Sequence, residues 1–222
     1  MLDYLSKLLP LLGFLAGLFL WRVQLIGKRR TEIAEEALLI FDRAVEALNY
    51  VRIPGSISGE LLAMRKEIDC SQDGEIPGEK YRITLWRLQQ KNDRFADLRR
   101  VQLLCRYHFG EDAYAAFESI LSVKKDVWVA ANMGLARLNT GATFTPEEGT
   151  RLIAREALIW AGVSEPDCVA DTISKAQHDL EAVLKRHLRA DAAFLPIADA
   201  WSAIRRRIIR SIGSSKPRGP DR

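Results

Sequence analysis

Histidine and cysteine are scarce, three of each among 222 residues. His108, His178 and His187 are the only histidines, and the last two are too far apart in register to share one helix face. Neither Cys70, Cys105 and Cys168 nor any carboxylate completes a ligand set with them at metal-binding spacing, which argues against a zinc site. An odd number of cysteines also excludes a fully paired disulfide framework and fits thiols in a reducing compartment. No glycine-rich phosphate loop and no G-x-S-x-G elbow occurs, and no stretch alternates long enough to supply the strand on which either would sit. The carboxylate pairs Glu35–Glu36 and Glu147–Glu148 are adjacent in sequence. They diverge on a helix and cannot share a proton. These absences leave no catalytic, cofactor or metal constellation, and the expectation is a protein that is not an enzyme.

What is present is one long apolar run. "LLPLLGFLAGLFLWRVQLIGKRR", Leu8 to Arg30, ends on three consecutive basic residues. A cleavable signal would need a positive start and a small-x-small site, whereas Asp3 precedes Lys7 and Trp21-Arg22-Val23-Gln24 follows the core. Leu8 to Trp21 alone reaches roughly 21 Å as a helix, short of the roughly 30 Å of a hydrocarbon layer. A helix from Tyr4 to Ile26 reaches roughly 34 Å, with Lys7 and Arg22 snorkelling toward opposite head groups. The run lacks the polar face of an interfacial helix. A buried core helix would leave the basic cluster without a purpose. The expectation is therefore a transmembrane anchor over residues 1–27.

Four basic residues, Arg22, Lys28, Arg29 and Arg30, follow the run's core and one, Lys7, precedes its centre. By the positive-inside rule the N-terminus faces outward and the remaining chain is cytoplasmic. Gly13 and Gly17 form a small-xxx-small pair that would let two helices approach closely. The plainer reading is two glycines scattered in a lipid-facing helix.

From Thr31 the pattern turns amphipathic, with Ile33, Ala37, Phe41, Ala44, Leu48 and Val51 at helical spacing. That helix continues from the run and stops at "RIPGSISG". "ELLAMRKEI" is ambiguous between short helix and loop. A second long helix is predicted from about Glu79 to His108, with Tyr81, Leu85, Leu88, Phe95, Leu98 and Cys105 inward. Asn92 falls on its apolar register, where a buried Asn fixes helix register more often than it binds a ligand. A third spans about Glu111 to Leu138, carrying Ala113, Phe117, Ile120, Val127, Ala131 and Leu135. Thr145 as N-cap, Pro146 at the first position and Glu147 and Glu148 in the first turn predict a shorter helix to about Ala161. Another begins near Pro166 and carries Ile173, Ala176, Leu180, Val183 and Leu184, with a break at Pro196 and a final segment to Ile212. The expected class is all-α: an N-terminal transmembrane helix, then an antiparallel four-helix-type bundle with a short extra helix over 28–212. Residues 213–222 read as a disordered tail.

"IGKRRTEIAEEALLIFDRAVEALNYVR", Ile26 to Arg52, directly after a single apolar run, resembles uncharacterised bacterial single-span membrane proteins with a helical cytoplasmic domain. The layout covers about Trp21 to Leu188, and the basic segment beyond Ala190 departs from it. The resemblance implies a fold and a location at the bacterial inner membrane, and no activity.

"WSAIRRRIIRSIG" places Trp201, Ile204, Ile208 and Ile212 on one face and Arg205, Arg206, Arg207 and Arg210 over the others. This is the pattern of a membrane-surface helix in contact with anionic lipid head groups. Its rival is a last bundle helix with a solvated arginine face. No stacking aromatics or recognised fold accompany these cations, which argues against nucleic acid as a partner. The combined expectation is an interaction or scaffolding module whose partners are the bilayer and an unknown protein or a second copy. An enzyme or ligand-binding protein with a site between bundle helices is the alternative, with Asn92 its one inward polar residue.

Overall fold

The computed structural model describes residues 2–56, 58–67, 76–140 and 146–188. These form seven helices and, among the described residues, no strand: α1 (Leu2–Val51), α2 (Ser58–Glu67), α3 (Glu79–Gln90), α4 (Asn92–Phe109), α5 (Glu111–Thr140), α6 (Pro146–Ile159) and α7 (Cys168–Leu188). The all-α class and the helical bundle are as the periodicity predicts. Two compact units emerge, one of Glu36–Leu184 and one holding the chain before it and after it. The expected break at Pro196, the segment to Ile212 and the tail lie outside the described residues.

Within the Glu36–Leu184 unit, α5 is the hub, packing against α3, α4 and α6. Its core stripe, Ala113, Phe117, Ile120, Val127 and Ala131, is fully buried. Each large apolar side chain so buried stabilises the fold by roughly 1.5–3 kcal/mol. Phe117 meets α1 at Phe41 edge to face, with ring centroids 5.5 Å apart. Ala37, Phe41, Ala44, Leu48 and Val51 are all buried, so the amphipathic face read from the sequence is the packed face.

Helix α1 ends at Val51, and Pro54 and Gly55 carry the chain away, Gly55 at a φ of 86° that a side chain would strain. The Arg52 carbonyl accepts the Ala161 N–H at 2.9 Å, tying the end of α1 to the end of α6. Helix α6 starts at Pro146 as predicted, with Glu147 and Glu148 in its first turn. Helix α7 starts two residues later than Pro166 because Asp167 caps it. Its Oδ1 accepts the N–H groups of Val169 at 3.0 Å and Ala170 at 3.1 Å.

The predicted second helix is two helices. The chain leaves helical geometry at Lys91, with φ −104° and ψ 10°, so α3 and α4 form an elbow. Asn92 is consequently the first residue of α4 and exposed, not a buried register-fixing residue. Helix α3 crosses α5 at Gly134, where any Cβ would stand 2.5 Å from the Tyr81 ring. Tyr81 in turn stacks on Trp160 at 5.4 Å and donates to Glu156 at 2.8 Å. Glu156 also accepts from Lys80 at 2.7 Å.

In the other unit, α1 residues from Gly13 to Ile26 expose Phe14, Leu15, Leu18, Phe19, Leu20, Trp21, Leu25 and Ile26, while Val23 is buried. Thr31 Oγ1 donates to the carbonyls of Gly27 and His187, each at 3.2 Å. Among the described residues no helix is long and apolar enough to cross a membrane. The side chains of residues 1–12 and of Ala16, which include the first five residues of the apolar run, lie outside them.

Candidate functional site

Among the described residues of the Glu36–Leu184 unit polar side chains converge at several places, three of which bear on a site. Two are held by buried arginines. Arg87, 1% exposed, donates to Glu60 at 2.6 Å and to the carbonyls of Ile53 and Gly55 at 2.9 Å each. Tyr50 donates to the same Glu60, and the Arg87 guanidinium lies over the Tyr50 ring at 5.2 Å. Burial, then Glu60, pushes the Tyr50 hydroxyl above its ordinary range against the opposing pull of Arg87, so it stays protonated at neutral pH. Arg52, 2% exposed, bridges Asp167 and the carbonyls of Ala157 and Leu158. Every one of these partners belongs to a helix end or loop. Both clusters therefore satisfy orphan carbonyls and lock chain ends.

The third is a cleft of about 700 Å³ between α4 and α5, within the size range of small-molecule sites. The elbow at Lys91 creates it by turning Asn92 to α5, where its Oδ1 accepts from Lys124 Nζ at 2.9 Å. Lys124 Nζ also sits 4.8 Å over the Phe95 ring. Desolvation, and then the charge of Arg99, push the Lys124 ammonium below its ordinary range. Arg99 and Lys125 line the same cleft and have no ion-pair partner among the described residues. Its one carboxylate, Glu118, accepts the amide of buried Gln102 at 2.8 Å. Trp128, 53% exposed, stands at the end of the cleft beyond Lys125. The lining thus mixes the cations with the apolar and aromatic side chains of Phe95, Leu121 and Trp128.

Among the described residues no group of His, Cys, Asp and Glu is arranged to hold a metal ion. Burial, and secondarily Glu36, push the Cys105 thiol up to about 12, so it is a core residue and no nucleophile at neutral pH. Gly13 and Gly17 lie on α1, both exposed, and a Cβ at either would meet nothing within 4 Å. Arg205, Arg206, Arg207 and Arg210 lie outside the described residues. The chain matches no known family, no curated protein and no solved structure.

Sequence reasoning missed the buried arginines and the cleft. Arg87 carried a signal: it lies four residues after Ile83 and three after Thr84, on the face that Tyr81 and Leu88 bury. A cation in an apolar register implies an internal acceptor. Arg99, Lys124 and Lys125 gave none, because their proximity arises only when α4 and α5 pack.

Proposed function

We propose that this chain is a membrane-anchored helical interaction or scaffolding module, seated by its opening helix at the cytoplasmic face of a bacterial inner membrane with the N-terminus outside. The observation that carries the reading is the set of eight large apolar side chains from Phe14 to Ile26, each 39–65% exposed. At about 100° per residue they spread over more than half the helix circumference. A water-soluble monomer rarely presents so much contiguous apolar surface, whereas a bilayer covers it. The charge step from the run to Lys28, Arg29 and Arg30 supports the orientation. The layout resemblance of Ile26–Arg52 supports the location.

In this reading Arg205, Arg206, Arg207 and Arg210 contact anionic lipid head groups, each contributing about 1 kcal/mol near the surface. The bundle meets a protein partner or a second copy. The test is a chain lacking Met1 to Ile26. It should be recovered soluble and helical by circular dichroism. Recovery only in the membrane fraction would overturn the assignment of anchoring to the opening helix.

A further inference from the structure

We propose that the α4/α5 cleft binds a nucleoside phosphate, its phosphate among Arg99, Lys124 and Lys125 and its base against the exposed ring of Trp128.

Three cations share one cleft: Lys124 is partly buried with the neutral Asn92 amide as its acceptor, while Arg99 and Lys125 are exposed and have no ion-pair partner among the described residues. The Arg99 charge opposes that of Lys124, and partial burial deprives Lys124 of part of the water that would screen it. Elsewhere in the same unit the arginines that are buried have carboxylates: Arg52 has Asp167 and Arg87 has Glu60. A phosphate would supply here what those carboxylates supply there, accepting from Arg99 in forked geometry and from the lysines as point charges.

The shape of the cleft selects an organic phosphate over a bare anion. Trp128 lies one helical turn beyond Lys124 and Lys125, about 5–6 Å along the α5 axis, which matches the reach between a base and its phosphate across one ribose. An aromatic base on an indole face gains roughly 1–3 kcal/mol. The cleft volume of about 700 Å³ accommodates a ribose and base besides the phosphate. Glu118 lies seven residues before Lys125, about 10 Å along the helix, and already holds the Gln102 amide. Its partner Gln102 is one turn from Arg99 on α4, so Glu118 edges the Arg99 side of the cleft.

The full-length chain in detergent, titrated calorimetrically with ADP, adenosine and pyrophosphate at fixed low salt, tests this. ADP is expected to bind at least tenfold more tightly than either fragment. Arg99→Gln, Lys124→Gln and Trp128→Ala should each weaken ADP binding tenfold or more while leaving the helical spectrum unchanged. Arg94→Gln, in the separate cationic cleft beside Tyr50, should leave it unaltered. Absence of ADP binding at millimolar concentration overturns the site. Pyrophosphate binding as tight as ADP overturns the stacking role of Trp128 and with it the nucleoside. An equal loss from Arg94→Gln overturns the location.

Discussion

The Arg52 guanidinium holds both carboxylate oxygens of Asp167 from one nitrogen, at 2.8 and 3.0 Å. Arg52 follows the last residue of α1, and Asp167 precedes the first of α7. The pair therefore closes a loop of more than a hundred residues, and Asp167 meanwhile caps α7. Removing one partner of a buried pair leaves the other charge uncompensated, at a cost of about 3–5 kcal/mol. Arg52→Ala should lower the urea midpoint accordingly without changing its slope. A loss under about 1 kcal/mol would show that neither the ion pair nor the bonds to the carbonyls of Ala157 and Leu158 hold this corner.

The same pair sets an acid limit. Burial alone would raise the Asp167 carboxyl, but the hydrogen bond from Arg52, the Ala170 and Val169 amides and the Arg52 charge together hold it below its ordinary 3.8. A carboxyl depressed by folding contributes stability above its unfolded value and loses it as pH falls through its folded value. The difference in unfolding free energy between the parent chain and Asp167→Asn should be constant from pH 7 to about 5. It should then shrink below pH 4. A difference that stays flat to pH 2.5 would contradict the coupling.

Gly134 and Gly149 should respond to alanine with opposite signs. Gly→Ala in a helix interior gains about 1 kcal/mol from propensity. At Gly149 a Cβ meets nothing within 4 Å, so the gain stands. At Gly134 it would meet Tyr81 ring atoms at 2.5, 2.7 and 2.8 Å. The ring cannot yield easily, being stacked on Trp160 and bonded to Glu156. Overpacking costs about 1–3 kcal/mol, so Gly134→Ala should be net destabilising in thermal melts.

Helical spacing alone identified the buried faces of α1, α5 and α7, down to Ile33, Phe41, Phe117, Ile120, Leu180 and Leu184. Burial follows periodicity whatever the partner helix is. The Pro146 start was legible because its chemistry is local. The elbow at Lys91 was not, since no Gly or Pro marks it and packing of two helices against α5 imposes it. Misplacing Asn92 followed directly: a helix read straight through position 91 turns it inward, and the real one turns it toward Lys124. The cleft was invisible for the related reason that Arg99 and Lys124 are distant in sequence and meet only across helices.

The C-terminal arginines make a separate prediction. The chain lacking Met1 to Ile26 should bind vesicles containing anionic lipid and release them as salt rises, because exposed charges are screened beyond about 10 Å at 0.1 M. Changing Arg205, Arg206, Arg207 and Arg210 together to Gln should remove most of that binding and leave helical content intact. Binding that survives the fourfold change would assign the contact to another surface.

The most direct measurement of the central claim is alkaline carbonate extraction of bacterial membranes carrying the full-length chain. Side chains such as Phe14, Phe19 and Leu25, exposed on α1, would be covered by lipid tails, and a spanning helix is effectively irreversible in water. The protein is expected to stay with the pelleted membrane and to leave it only in detergent. Release into the carbonate supernatant would contradict it.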